Sequence, residues 1–205
     1  MNIVFLQVGN DVIHAEKMVQ SARKACKNAQ IIQLSDEHTQ IVKDVDKVVR
    51  KPYNGKLMLF RMQHLADLRG EWVNLDTDII VKKDLADVFN LDFDVALTKR
   101  ESPILDSNGF DITTIMPYNG GVIFSRNHLF WQDALRKIES LNHEQHDWWG
   151  DQVAIKLVAD TNYYNIVELP CDEYNYTPSN AEERKDVYVY HFKGQRKDWM
   201  MNQEY

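Results

Sequence analysis

Short apolar runs alternate with stretches of helical periodicity along the whole chain. Residues 3–6 form an unbroken apolar run, which is typical of a strand covered on both faces. Apolar positions between residues 12 and 26 recur on one helical face, and Asn10 or Asp11 before them predicts an N-cap. The same reasoning predicts strands at 31–32, 48–49, 72–75, 79–81, 95–97, 121–125, 166–169 and 187–191, and helices over 56–68, around 131–138 and from 151.

This alternation predicts one α/β domain over residues 1–205, with a Rossmann-like, mainly parallel central sheet flanked by helices. Ligands of such sheets bind beyond the carboxyl ends of the strands, so polar residues that follow apolar runs are the candidates for function. Residues 100–117 contain two prolines and little periodicity, which predicts a long loop. Loops of that length within compact domains are usually functional or mobile.

Composition excludes several classes of protein. The 205 residues are 44% hydrophobic with a formal charge of −7, which fits a globular chain and disfavours general nucleic-acid binding. No run reaches the roughly 18–20 apolar residues of a membrane-spanning helix, and the N-terminus lacks the features of a signal peptide. Cys26 and Cys171 are too few for a disulfide framework. We therefore expect a cytoplasmic protein with reduced cysteines.

The clearest chemical feature is a pair of aspartates between two apolar runs. Asp76 and Asp78 are separated by Thr77, and strand alternation would place both carboxylates on one face with Thr77 opposite. Close carboxylates repel unless a cation lies between them, and hard oxygen ligands favour Mg²⁺ or Mn²⁺ bridging to substrate phosphates. Such a tripeptide is common on solvated loops, but apolar flanks make an unpartnered pair costly. The setting therefore favours a metal site.

Four segments together resemble the family 8 glycosyltransferases, which include glycogenin and the bacterial lipopolysaccharide galactosyltransferases and have the GT-A fold. The first runs from Lys56-Leu57 through the two aspartates to Val88-Phe89. The others follow in the family's order: Tyr118-Asn119-Gly120-Gly121-Val122-Ile123-Phe124, then Gly150-Asp151-Gln152, then His191-Phe192-x-Gly194-x-x-Lys197-x-Trp199, where Asp198 replaces a proline. Each motif is modest alone, but four in order, each at a predicted strand or helix end, form a specific signal.

The resemblance implies a metal and diphosphate site built from distant parts of the chain. Asp76, Asp78 and His191 would be the metal ligands, and the imidazole favours Mn²⁺ somewhat over Mg²⁺ because nitrogen is the softer donor. Gly194 would let the backbone approach the diphosphate, and Lys197 would add positive charge to it as a catalytic residue.

The remaining implied positions concern the donor and the acceptor. The donor-binding set comprises Gln7, Gly9 and Asn10 near the base, then Lys56, Asp76, Thr77, Asn119, Gly120, Gly121 and Gly194. Asp151 and Gln152 would act catalytically near the anomeric carbon, although Asp151 also fits a helix N-cap. Arg61 is explained equally well as a donor contact or as part of a solvated helix face. Trp148 and Trp149 fit either partial core packing or a stacking surface for an acceptor sugar.

The resemblance thus implies a metal-dependent, retaining glycosyltransferase that moves a hexose from UDP-glucose or UDP-galactose to a glycan, lipid-linked or protein acceptor. One alternative is a non-catalytic nucleotide-sugar-binding module. Another is a sugar-phosphate nucleotidyltransferase, which would need a glycine-rich, basic loop after the first strand. Residues 8–11 contain one glycine and no lysine or arginine, which disfavours that alternative. The sequence leaves a homo-oligomer open.

Overall fold

The computed structural model describes residues 1–203, so the last two positions of the predicted domain range lie outside the described residues. This part of the chain forms nine strands and six α-helices. In chain order they are β1 (Asn2–Leu6), α1 (Ile13–Ala25), β2 (Gln30–Ser35), β3 (Lys47–Arg50), α2 (Leu57–Leu65), β4 (Trp72–Leu75), β5 (Ile79–Val81), β6 (Val95–Lys99), β7 (Tyr118–Ser125), α3 (His128–Glu139), α4 (Gly150–Ala159), β8 (Ile166–Pro170), α5 (Cys171–Tyr174), β9 (Val189–His191) and α6 (Lys197–Met201). Short 3₁₀ helices cover Ala86–Asn90, Ile112–Thr114 and Gly194–Arg196.

Seven strands form the central sheet in the order β3-β2-β1-β4-β7-β6-β8. Strand β7 is antiparallel to both of its neighbours, and the remaining pairs are parallel. The predicted α/β class with a mainly parallel central sheet is therefore confirmed. The sequence did not predict the separate antiparallel pair of β5 and β9, in which Ile79 lies opposite His191.

Hydrophobic side chains pack on both faces of the central sheet. In β1, Ile3 and Phe5 belong to one core cluster, whereas Val4 belongs to the cluster on the other face. This alternation follows from the two-residue period of a strand. Helix α1 covers the first face, and α2, α3 and α4 supply the second cluster. Burial on both faces explains why the strands appear in the sequence as continuous apolar runs.

The side-chain cap predicted for α1 is wrong, and the structure also excludes the N-cap interpretation of Asp151. Helix α1 begins after Val12 without a side-chain cap, and the Oδ1 of Asn10 instead accepts a hydrogen bond from the backbone N–H of Gln40 at 3.0 Å. Helix α4 begins after Trp149, so Asp151 lies within its first turn rather than at the cap. In each case the polar side chain binds a partner elsewhere in the fold.

The topology brings several chain segments to one edge of the sheet. The carboxyl ends of β1, β4 and β6 meet there, together with the amino end of antiparallel β7. The Asp76 N–H donates to the Gly121 carbonyl at 2.9 Å, and the Phe192 N–H donates to the Asp78 carbonyl at 2.8 Å. Residues after β4 are thereby joined to both β7 and β9.

Cys26 and Cys171 are both free, as the sequence predicts. Among residues 1–203, no helix is long and apolar enough to cross a membrane. Residues 100–117 connect β6 to β7 as the predicted long loop, which contains one 3₁₀ turn.

Candidate active site

Asp76, Asp78 and His191 lie together, and their side chains are of the kinds that bind metal ions. We refer to these three residues as the metal cluster. One ligand atom from each residue lies within 4.8 Å of the others. His191 Nε2 is 3.0 Å from Asp78 Oδ1 and 3.7 Å from Asp76 Oδ2. The expected strand alternation is not the reason, because Thr77 and Asp78 lie in a turn between β4 and β5. The pairing of β5 with β9 brings the histidine to the aspartates instead.

Asn175 holds the His191 ring in one orientation. His191 Nδ1 lies 2.7 Å from Asn175 Oδ1, and Asn175 Nδ2 donates to Thr98 Oγ1 at 2.9 Å. Because the amide oxygen accepts, Nδ1 carries the proton in a neutral ring and Nε2 presents its lone pair to the two aspartates. Second-shell hydrogen bonds of this kind orient metal-binding histidines. Sequence reasoning missed Asn175, which has no motif around it.

The donor set fits a divalent cation. An Nε2 lone pair and a carboxylate oxygen at 3.0 Å repel each other unless a proton or a cation lies between them. Two carboxylates with one imidazole suit Mn²⁺ or Mg²⁺. These are the residues that the sequence predicted as metal ligands.

Gly121 provides the space that His191 occupies. A Cβ atom at Gly121 would lie 2.3 Å from Cε1 and 2.5 Å from Nδ1 of His191. Those separations are far inside van der Waals contact, so any larger residue would displace the ring. The Oδ1 of Asn119, two residues earlier in β7, accepts a hydrogen bond from the Gly121 N–H at 2.9 Å.

Asp78 is ionised at neutral pH despite its burial. Burial by itself raises the pKa of this carboxyl group. When a proton on His191 Nε2 takes the place of a cation, the hydrogen bond and charge of the imidazolium outweigh the effect of burial. Lys197, whose Nζ lies 3.4 Å from Asp78 Oδ2, lowers the pKa further, to about 2. Lys197 thus lies beside the metal cluster.

Arg61 joins the metal cluster to helix α4. Its Nη1 lies 3.0 Å from Asp151 Oδ2 and its Nη2 lies 3.1 Å from Asp76 Oδ1, while Nη2 also donates to the Gly120 carbonyl. Arg61 is only 6% exposed, which excludes the solvated helix face as its explanation. Burial raises the pKa of Asp151, and the charge of Asp76 adds to this rise, whereas Arg61 opposes it.

Gln152 fixes the end of the long loop. Its Oε1 accepts from Arg100 Nη2 at 2.6 Å, and Arg100 Nη1 donates to the carbonyls of Met116 and Tyr118. Gly120 lies against the same group, since a Cβ there would be 3.5 Å from Gln152 Cγ. The predicted sugar-side residues are therefore adjacent.

The turn after β1 contains the three residues predicted to lie near the base. Gln7 Nε2 donates to the carbonyls of Gly9 at 3.3 Å and Asp11 at 3.1 Å. Gly9 has a φ of +91°, and its N–H donates to Thr39 Oγ1 at 2.7 Å. Asn10 is tied to the following loop through Gln40. The turn is consequently cross-linked by hydrogen bonds.

A cavity of about 600 Å³, within the size range of small-molecule sites, lies beside Asp76, Asp78 and Lys197. Asp151, Gln152 and residues 119–121 are not among its lining residues. Its lining includes the β1 turn, the metal cluster's two aspartates and the wall formed by α2. The lining residues are Leu6, Gln7, Val8, Asp11, His14, Tyr53, Leu57, Met58, Arg61, Asp76, Thr77, Asp78, Trp148 and Lys197. Lys56, by contrast, pairs with Asp147 at 2.6 Å. Gly194 takes a left-handed conformation, with a φ of +61°, between His191 and Lys197.

Comparisons with known proteins support the fold. No protein-family model matches the sequence, and no curated protein matches it. Among solved structures, the galactosyltransferase LgtC, determined with donor and acceptor sugar analogs, aligns over 95% of this chain and 88% of its own, with a TM-score of 0.60 and 14% identity. The glycosyltransferase GlyE of Streptococcus pneumoniae TIGR4 aligns over 98% of this chain, with a TM-score of 0.63 and 18% identity. The bifunctional glycosyltransferase WbbM aligns over 98%, with a TM-score of 0.64 and 15% identity.

The chain therefore has the GT-A fold of glycosyltransferases. It spans 59% of the GlyE chain and 49% of the WbbM chain. At sequence identities of 14–18%, the similarity to these solved structures shows the fold alone.

Proposed function

We propose that this chain is a metal-dependent glycosyltransferase of the family 8 type, with residues 1–205 as one donor-binding domain. It would move a hexose from UDP-glucose or UDP-galactose to a glycan, lipid-linked or protein acceptor. The observation that carries the proposal is the grouping of Asp76, Asp78 and His191 beside Lys197, at a cavity in a glycosyltransferase fold. Two aspartates alone would not support it.

The proposed nucleotide end of the site is the turn after β1. Gln7, Gly9 and Asn10 would contact the base there, and Thr77 and Asp76 would contact the ribose and sugar. A bound Mn²⁺ or Mg²⁺ would supply positive charge to the leaving diphosphate. Lys197 and Lys56 would add charge at the same oxygens, and the left-handed Gly194 leaves its backbone accessible to them.

The proposed sugar end lies between β7 and α4. Asn119, Gly120 and Gly121 would line the hexose, with Asp151 and Gln152 beside the anomeric carbon. Arg61 fixes the Asp151 carboxylate and Arg100 fixes the Gln152 amide. Groups held in this way stabilise developing charge without reorganising during the reaction.

The family resemblance further leads us to propose retention of anomeric configuration. The acceptor would then attack from the side of the departing phosphate, which takes its proton. Alternatively, a nucleophilic side chain would first displace the diphosphate, and the acceptor would then displace that side chain as its proton passes to the diphosphate. We assign Asp151 and Gln152 to positioning and charge stabilisation in either case.

A thermal-shift titration tests the donor site. Wild-type protein with Mn²⁺ is titrated with UDP, UDP-glucose and UDP-galactose, and a ligand at 100 times its Kd should add about 2.7 kcal/mol. The Asp76→Ala/Asp78→Ala variant should lose the response, and Asp186→Ala, at an 89% exposed side chain, should keep it. A wild type that no UDP compound stabilises, or a double variant that responds equally, would contradict the proposal.

Turnover separates an enzyme from a binding module. We expect metal-dependent release of UDP from at least one donor, even with water as the acceptor. Donor binding without any release would favour the non-catalytic alternative. Proton NMR of the released hexose with Mg²⁺ gives its first-formed anomer and so tests retention.

A further inference from the structure

Trp148 is an exposed aromatic side chain at the cavity that Asp76 and Asp78 line. Its side chain lies on the cavity lining together with Arg61 and Asp76, yet the residue is 71% exposed. Trp149 is half-buried, so the two neighbours have separate environments. An indole ring loses more favourable apolar contact by remaining in water than almost any other side chain. Its position therefore calls for an explanation other than core packing.

The backbone that carries Trp148 is fixed by its own hydrogen bonds. The Gly150 N–H donates to the Trp148 carbonyl at 2.8 Å and lies 3.1 Å from the Gln145 carbonyl. A Cβ at Gly150 would be 2.1 Å from that Gln145 oxygen, so the turn requires glycine. Trp149 has a φ of +52°, which a non-glycine residue adopts only when its surroundings impose it. Strained conformations of this kind cluster at functional sites.

Helix α2 anchors the same turn from outside. The His146 carbonyl accepts from the N–H groups of Met58 at 2.9 Å and Leu59 at 3.1 Å. Lys56 pairs with Asp147, the residue directly before Trp148. Hydrogen bonds and an ion pair therefore fix the turn that carries Trp148. A ligand that stacks on the ring would not have to order the backbone first.

Trp148 belongs to the turn that leads into α4, the helix that carries Asp151 and Gln152 of the proposed sugar end. Trp148 precedes Asp151 by three residues, and Asp151 is bound to Arg61 on the adjacent helix α2. The proposed base-binding turn with Gln7 belongs to a different wall, formed by β1. A ring stacked on Trp148 would therefore lie beside the transferred hexose, where an acceptor must enter.

We infer that Trp148 is a stacking platform for a pyranose ring of the acceptor, which makes the acceptor a glycan. This inference rests on the proposed glycosyltransferase function. A pyranose presents a face of C–H groups that packs on an indole ring, while its hydroxyl groups stay in water. The polar cavity on one side and solvent on the other suit such an amphipathic ring.

Saturation-transfer difference NMR tests this platform. Protein with UDP and diamagnetic Mg²⁺ is titrated with lactose, maltose and cellobiose. We expect at least one disaccharide to bind, and Trp148→Ala to weaken it by about tenfold or more. Trp148→Phe, which keeps an aromatic face, should stay within about threefold of the wild type. Tyr163→Ala removes another aromatic side chain, 86% exposed and outside this cavity, and should bind as the wild type does.

The UDP titration of each variant separates the two proposals. UDP affinity should remain unchanged in Trp148→Ala. If the wild type binds UDP but none of the three disaccharides, or if Trp148→Ala binds sugar as tightly as the wild type, the platform is refuted. A variant that loses UDP affinity instead would assign Trp148 to the nucleobase and also refute it. A wild type that binds no UDP would contradict the proposed function itself.

Discussion

Arg61 Nη1 lies 3.0 Å from the Oδ2 of Asp151, a carboxylate whose side chain is 1% exposed. The other guanidinium nitrogen lies 3.1 Å from Asp76, so one buried cation bridges two acidic groups from different elements. Asp76 follows β4 and Asp151 lies in the first turn of α4. Arg61 therefore couples the position of α4 to that of the metal cluster.

Replacing Arg61 should destabilise the protein in a pH-dependent way. Arg61→Ala leaves the Asp151 carboxylate buried without its cation. We therefore expect the free energy of unfolding to fall by about 3 kcal/mol at pH 7 relative to the wild type. Burial already raises the pKa of Asp151, and removal of Arg61 raises it further. The carboxyl group will therefore be protonated more readily as the pH falls, and the deficit should shrink at pH 5. Urea unfolding at both pH values measures this, with the exposed Arg69→Ala as control. Equal deficits at the two pH values would contradict the explanation.

Gly121 and His191 should be energetically coupled. Gly121→Ala places a Cβ 2.3 Å from the His191 ring, and we expect a cost of about 1–3 kcal/mol. In a His191→Ala background the space is free, so the same substitution should cost much less. A double-mutant cycle by urea unfolding should give a coupling energy of about 1 kcal/mol or more. Additive effects would show that the ring does not determine the choice of glycine.

Loss of Asn175 should weaken metal binding without removing a ligand. Its Oδ1 holds His191 Nδ1 at 2.7 Å, so Asn175→Ala frees the ring and should lower Mn²⁺ affinity by about 10–100-fold. Asn175→Asp keeps a hydrogen-bond acceptor at this position, so its Mn²⁺ affinity should fall less than that of Asn175→Ala. Calorimetric titration with Mn²⁺ compares these variants with Asn180→Ala, which changes an exposed asparagine. An unchanged Mn²⁺ affinity in Asn175→Ala would show that Asn175 does not orient His191 for metal binding.

His64 should make the protein less stable in acid. The residue is 1% exposed, and within residues 1–203 neither ring nitrogen makes a hydrogen bond of ordinary geometry, the Ser35 backbone offering only a weak one. Burial and the charge of Lys51 lower its pKa from 6.5 to about 4. A depressed pKa contributes stability above pH 6.5 that is lost as the pH falls toward 4, here by about 2–3 kcal/mol. The free energy of unfolding measured in urea should therefore fall less between pH 7 and pH 4 in His64→Leu than in the wild type. Parallel losses would contradict the assignment.

Local patterns of apolar and polar residues were enough to predict the main element types and the fold class, and the family resemblance identified Asp76, Asp78 and His191 as the candidate metal ligands. Burial of β1 on both faces leaves an unbroken apolar run, and such local patterns require no knowledge of distant contacts. The grouping of Asp76 and Asp78 with His191 followed from the family resemblance. The strand alternation predicted for the two aspartates is wrong, since Thr77 and Asp78 lie in a turn.

The surroundings of those three side chains depend on contacts between distant parts of the chain. The burial of Arg61 depends on Asp151, 90 positions away, and Asn175 is fixed by Thr98, 77 positions away. Gly121 is required by the His191 ring, and the turn that carries Trp148 is hydrogen-bonded to α2 through the His146 carbonyl. Hydrogen bonds and steric contacts between such distant positions leave no trace in local periodicity, because periodicity records only which face of an element is buried.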